Sequence, residues 1–297
     1  MTGSQAGDMN GKTVLVTGAT DGIGKRSAIT LASFGAHVIV TGRDRERGLA
    51  CVSEISASCG HDRVDALFAD LSSIAGVRDL AAQVESRCPS LDVLVNNAGM
   101  AAPERRVTDD GLEADFAVNV IAPHLLTSIL DPLLAAAPSA RVVTLSGGDH
   151  PQQLDLDDLQ SELAFEGLKT YSRTKVLMMA LMYERAQRTA GSTITCNVCY
   201  PGQASTSMTQ SVTADMLPPA LRFAFPVFKL LVRDDGGKSA LRASRSSVHL
   251  SASTEVAGVT GAYFDKTCRS VLWPAPILDA TLRSNLWDTV QDIIAIH

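Results

Sequence analysis

The stretch that most restricts the fold of this chain is Val14-Leu15-Val16-Thr17 feeding directly into Gly18-Ala19-Thr20-Asp21-Gly22-Ile23-Gly24, with Ser27-Ala28-Ile29-Thr30-Leu31-Ala32 beyond it. A short apolar run, a glycine-rich turn and a helix-compatible segment make a strand–turn–helix unit. Glycines there let the backbone turn sharply and approach an anionic group, which then meets the positive end of the helix. The spacing is Gly-x-x-x-Gly-x-Gly, which departs from the commoner Gly-x-Gly-x-x-Gly. The strand–turn–helix context, more than the bare pattern, argues for phosphate binding. The helix should stop at Gly35, a good residue just past a helix end.

The same alternation continues along the chain. Strands are expected at Thr13–Thr17, His37–Thr41, Val64–Phe68, Val93–Asn96, Arg141–Leu145, Thr193–Cys199 and Val259–Phe264. Near-continuous apolar strands separated by helical stretches are the pattern of a parallel sheet covered on both faces, hence an α/β chain. The 297 residues fit one domain of that kind, since neither an internal repeat nor a low-complexity linker divides them.

Composition serves mainly to exclude. A net charge of -6 gives no electrostatic reason to expect nucleic acid as a partner. Residues Met1 to Asn10 carry neither a basic nor an apolar leader segment, and the most apolar late stretch, Leu217 to Val232, is broken by Pro218, Pro219, Arg222, Pro226 and Lys229. No membrane span and a cytoplasmic location are therefore expected, with six cysteines as reduced thiols. Cys196 and Cys199 lie in a strand, where residues three apart point to opposite faces, so they read as core thiols rather than a redox or metal pair. The histidines are scattered, and no metal site is expected.

Tyr171 and Lys175, in Tyr171-Ser172-Arg173-Thr174-Lys175, stand four residues apart. On a helix such residues share one face. Alone the pair would be read as a solvated helix face. Downstream of an N-terminal phosphate cradle it suggests a hydride-transfer site with a phenol as proton donor. An ordinary tyrosine has a pKa of about 10, and a nearby ammonium favours its phenolate, so Lys175 is expected to lower it.

These motifs together resemble the short-chain dehydrogenases/reductases, in particular their retinol-dehydrogenase-like branch. The resemblance covers nearly the whole chain. It rests on Thr17 to Gly24, Asp70-Leu71-Ser72, Asn96-Asn97-Ala98-Gly99, Asn119, Tyr171 with Lys175, Pro201-Gly202 with Thr206, and Gly261-Ala262-Tyr263-Phe264. It implies a single Rossmann-type doubly wound domain over residues 1–297, with strand order 3-2-1-4-5-6-7. It also implies that Gly18, Thr20, Asp21, Gly22, Ile23 and Gly24 cradle the cofactor and that Asp70 and Leu71 flank adenine. Asn97, Ala98 and Gly99 would pass along the cofactor, although a plain turn after a strand also fits them. Pro201, Gly202 and Thr206 would cap the nicotinamide, and Lys175 would bond its ribose. Asn119 would hold a proton-relaying water behind Lys175. A dimer or tetramer is what the resemblance implies for assembly.

The nucleotide follows from Thr41-Gly42-Arg43-Asp44-Arg45. An acid ending the second strand would bond a ribose 2′-hydroxyl, whereas an arginine accommodates a 2′-phosphate. Gly42 fills the acidic slot and Arg43 follows, a planar permanent cation suited to phosphate. The alternative is a surface charge cluster balanced by Asp44 and Glu46. NADP(H) is the expected cofactor.

One member of the family pattern is missing. The fifth strand ends Leu145-Ser146-Gly147-Gly148-Asp149-His150, so Gly147 falls where the resemblance places the catalytic serine. Ser146 or Asp149 could replace that hydroxyl, Ser146 only if the chain kinks, and a hydroxyl on the substrate is a third source. The expected activity is interconversion of an alcohol with a ketone or aldehyde on a fairly apolar molecule. A non-redox cyclase, dehydratase or epimerase using Tyr171 as acid/base is the alternative, and a nucleotide-sensing protein without turnover is a third. The segment 203–235, rich in Pro, Met, Phe and Leu, reads as an apolar lid or as packing against a second subunit.

Overall fold

The structure, a computed structural model, describes residues 7–147, 154–217 and 219–297. Asp149 therefore lies outside the described residues. The chain begins β1 (Thr13–Val16), α1 (Gly22–Ser33), β2 (His37–Gly42), α2 (Arg45–Cys59), β3 (Val64–Phe68), α3 (Ile74–Glu85) and β4 (Val93–Asn96). A short helix, α4 (Ala114–Phe116), runs through a π-helical turn at Ala117–Ile121 into α5 (Ala122–Ile129), then α6 (Asp131–Ala136) and β5 (Ala140–Leu145). The second half carries α7 (Gly167–Arg188), β6 (Ile194–Cys199), α8 (Ser207–Ser211), α9 (Phe225–Leu231), α10 (Lys238–Ala252), β7 (Tyr263–Phe264), β8 (Ser270–Val271) and α11 (Ala280–Ala295).

The sheet runs β3-β2-β1-β4-β5-β6-β7-β8, with the expected order 3-2-1-4-5-6-7 intact. All pairings are parallel except β7 with β8. The strands are apolar on both faces because helices cover both. Leu15, Ile39, Leu94 and Val142 point into one core with α3, α5 and α7, while Val14, Val16, Val38, Val40 and Val95 point into the other with α1 and α10. Each fully buried aliphatic side chain contributes about 1.5–3 kcal/mol. Cys196 falls in the first core and Cys199 in the second, on opposite faces of β6.

One expectation needs correction. The last parallel strand is Tyr263–Phe264, not Val259–Phe264, and an antiparallel edge strand follows it. Gly261, at φ 70°, bends the chain out of strand geometry, and Thr260 and Val259 are held by β6 through side-chain bonds instead of the ladder. The Thr260 hydroxyl accepts from Cys196 N at 3.0 Å, and Asn197 Nδ2 donates to Val259 O at 2.6 Å. The first helix ends at Ser33 with Phe34 as its C-cap, and Gly35, at φ 97°, stands just past the helix end as expected.

β1 sits between β2 and β4, so the chain winds outward in opposite directions on its two sides. At such a switch point the loops leaving the carboxyl ends of the strands part and open a crevice. No helix among the described residues is long and apolar enough to cross a membrane. Nor do the described residues contain a His, Cys, Asp and Glu cluster that could hold a metal.

Candidate active site

The crevice at the switch point is a cleft of about 530 Å³. Its floor is the glycine turn. Gly18 and Gly22 have φ 61° and 56°, a region that side chains resist. A Cβ on Gly24 would lie 2.4 Å from Asn97 Nδ2 and 2.7 Å from Gly18 O, and one on Gly22 would lie 2.8 Å from Thr206 Cγ2. Only glycine permits these approaches, so the turn presents bare backbone to the cleft.

β4 is stitched to this turn. Asn97 Nδ2 donates to Thr17 O at 2.7 Å and to Gly18 O at 3.0 Å, and the amides of Asn97 and Ala98 both donate to Thr17 Oγ1 at 3.0 Å. Asn97 thus holds the turn itself. Asp21 ties the turn to the segment after β6, accepting from the Ser207 hydroxyl and from Ser207 N. Burial alone would raise its pKa, but hydrogen bonds from Ser207 and Gly22 hold it below the usual carboxylate value.

Of the expected cofactor residues, Gly18, Thr20, Asp21, Gly22, Ile23, Arg43, Asp70, Leu71, Asn97, Ala98, Gly99, Pro201 and Thr206 line the cleft with Tyr171 and Lys175. Gly24 and Gly202 do not: the first lies beneath the turn, and the second, at φ 84°, turns toward Lys266. A Cβ on Gly42 would lie 2.6 Å from Thr20 Cγ2, so an acid in that slot would have to displace Thr20. Arg47 is a cleft residue that sequence reasoning passed over. It stands in the first turn of α2, where Asp44 accepts from its amide, and its signal was a second basic residue close after Arg43. Arg45 between them lies over the Phe68 ring, 5.2 Å from its centroid, which leaves Arg43 and Arg47 as the cations of the cleft wall.

α7 brings Tyr171 and Lys175 to the opposite wall beside the end of β5. Burial, then the charges of Asp115 and Tyr200, push the Tyr171 phenol well above its ordinary value. Burial brings the Lys175 ammonium down to about 8. The expected lowering of Tyr171 by Lys175 is not the effect that governs here. The ammonium lies 6.0 Å from the phenol ring centroid and donates to Leu145 O at 3.2 Å, and desolvation outweighs its field.

Ser146 lies in the cleft wall, but its hydroxyl donates to Cys199 O at 3.3 Å and Gly147 O at 3.2 Å. These bonds hold it toward β6. Position 147 points the other way: a Cβ there would stand 3.3 Å from Lys175 Cβ and Cγ and 3.5 Å from Tyr171 Cε1.

Asn119 is buried behind the cleft, inside the π-helical turn. It donates to Met100 O at 2.9 Å and to the Thr174 hydroxyl at 2.9 Å, and accepts from Met100 N at 2.9 Å. Such turns are rare and concentrate at functional sites. The sequence around Asn119 carries no sign of it.

An α/β sheet with this strand order, a glycine cradle at its switch point and a helix-borne Tyr171–Lys175 pair define a nucleotide-dependent oxidoreductase class of architecture. The chain belongs to the short chain dehydrogenase family, whose pattern matches residues 12–217. It is 32% identical over 305 residues to retinol dehydrogenase 14 of Mus musculus, covering 99% of this chain and 89% of that one. It is also 32% identical over 291 residues to polyprenol dehydrogenase of Danio rerio, covering 94% of this chain and 86% of that one. Among solved structures, a short chain dehydrogenase from Shigella flexneri complexed with NADP superposes with a TM-score of 0.65 at 25% identity, over 88% of this chain and 99% of that one.

Proposed function

We propose that this oxidoreductase uses NADP(H) to interconvert an alcohol and a ketone or aldehyde on a fairly apolar small molecule. The observation that carries the reading is the convergence on one cleft of the bare glycine turn, the Arg43 and Arg47 cations and the Tyr171–Lys175 pair. Support for the cofactor comes from the NADP-bound neighbour, and support for an apolar alcohol from the retinol and polyprenol dehydrogenases among the relatives.

The residues present fit a dinucleotide phosphate. The turn offers bare backbone in a conformation that a Cβ at Gly22 or Gly24 would disrupt, and the Arg43 and Arg47 cations of the cleft wall suit a 2′-phosphate. When bound, the nicotinamide supplies or accepts the hydride. Tyr171 holds its proton firmly in this environment, which is the form needed to protonate an oxygen as a carbonyl is reduced. Lys175 presents its ammonium from within the wall and would bond the nicotinamide ribose. Asn119 steadies the loop at Met100 and would support proton relay behind Lys175.

Gly147 stands where the family's catalytic serine is expected, so the substrate oxygen is met by Tyr171 without a second side-chain hydroxyl from that position. The segment 203–235 covers the substrate end. It contributes Thr206, Ser207 and Met208 to the cleft and exposes Phe223, Val227 and Leu230 beyond it. NADPH oxidation followed by absorbance against a panel of apolar aldehydes and ketones tests the reading. Turnover lost in Tyr171→Phe is expected. Tight NADPH binding with no turnover on any carbonyl would overturn it.

A further inference from the structure

Asp115 is a carboxylic acid sealed from solvent, one helical turn before Asn119, and the mechanism above does not use it. Its exposure is 0%. Oδ1 accepts from Ala102 N at 2.9 Å, while the equally buried Oδ2 has no hydrogen-bond partner among the described residues. Glu113, also fully buried, is served differently: its two oxygens accept from Asp115 N at 2.9 Å and Phe116 N at 2.8 Å, capping α4. Two neighbouring buried acids repel when both are ionised, and the one with fewer donors keeps its proton.

Asp115 and Asn119 hold the same loop, Asp115 at Ala102 and Asn119 at Met100. That loop begins at Gly99, where a Cβ would lie 3.1 Å from Lys175 Nζ and 3.2 Å from Asn119 Oδ1. Carboxyl, amide, loop and ammonium are therefore one packed layer.

We propose that Asp115 is a positioning residue of the active site: its Oδ1 fixes the Gly99–Ala102 loop against Lys175, and its ionisation sets the pH range in which Tyr171 exchanges its proton. The inference rests on the reading of Tyr171 as the proton-exchanging group. The charged groups facing Asp115 are Glu113 on its own element and Lys175 and Tyr171 on α7. Arg105 and Arg173 act on Glu113, and Arg173 is paired with Asp158 at 3.7 Å. Burial first and Glu113 second push Asp115 up to about 8, against the pull of Ala102 N and Lys175. Ionised, it opposes the loss of the Tyr171 proton and favours the charged form of Lys175.

Asp115→Asn keeps an oxygen for Ala102 but cannot ionise. In ligand-free protein, the ultraviolet phenolate signal of Tyr171, isolated by difference from Tyr171→Phe, should appear about one pH unit lower in Asp115→Asn. The pH–rate profile of NADPH-dependent turnover should move in the same direction. Superimposable titrations and profiles would overturn the proposal. Infrared difference spectra of the unsubstituted protein keep it testable if the variant does not fold. A protonated-carboxyl band lost as pH rises through about 8 supports it, and no such band at neutral pH overturns it. The phenolate titration needs no turnover, so a shifted titration in a protein that reduces no carbonyl would refute the proposed function and leave Asp115 in its role.

Discussion

Replacing Gly147 tests both the site and the reason for its unusual residue. A Cβ at 147 would contact Lys175 Cβ and Cγ at 3.3 Å, where carbon atoms ordinarily settle at about 3.5–4.0 Å. Lys175 Cβ is one bond from the α7 backbone and cannot rotate away, so the helix or the strand end must give by a few tenths of an ångström. Overpacking of this kind costs about 1–3 kcal/mol, and each kcal/mol lowers the melting temperature of a chain this size by roughly 2–4 °C. Gly147→Ala carries that steric cost alone, and Gly147→Ser adds a hydroxyl. A donor restored at a developing oxyanion would be worth about 3–4 kcal/mol, or roughly 10²–10³ in rate. We expect both variants to melt lower and Gly147→Ser to turn over more slowly than the unsubstituted enzyme, because the added atoms press on the Lys175 stem and approach the Tyr171 ring. Melting by calorimetry, with kcat and KM on one carbonyl substrate, decides it. Unchanged melting in Gly147→Ala would refute the packing argument, and a faster Gly147→Ser enzyme would show that the space is not needed.

Arg43→Ala should cut NADPH affinity by one to two decades and leave NADH binding nearly unchanged, the loss expected for a charge-assisted bond to phosphate; calorimetry with both nucleotides would expose an error as equal losses. Gly24→Ala should lower stability and nucleotide binding together, since its methyl would collide with Asn97 Nδ2 at 2.4 Å and Gly18 O at 2.7 Å, and intact binding by fluorescence titration would count against the cradle. Asp115 loses its proton near 3.8 when exposed but keeps it to about 8 in the folded chain, so the folded state binds the extra proton between those values. Its contribution to stability is therefore present at low pH and lost as pH rises through about 8, and Asp115→Asn should remove that decline from denaturant melts taken across the range.

The strand–turn–helix start and the glycine turn were legible in the sequence because they rest on local rules, whereas the strand order was implied by the family resemblance. Apolar runs of strand length need helices on both faces, and positions such as Gly18 and Gly22, at φ 61° and 56°, admit little but glycine. Tyr171 and Lys175 were legible for the same reason, since four residues on a helix fix a shared face. What the sequence could not decide depends on contacts between distant segments. Gly261 cut β7 to Tyr263–Phe264. Asn97 serves the turn through Thr17 and Gly18, some 80 residues away in sequence. The direction of the Ser146 hydroxyl was set by Cys199 on the neighbouring strand. The charge balance at Tyr171 was misjudged for a related reason: spacing along a helix shows that Lys175 is near, but only packing shows that desolvation governs both groups and that the charge of Asp115 acts on them. Periodicity is a property of the chain and can be read from it, whereas desolvation and the field of a remote carboxylate exist only once the layers have closed.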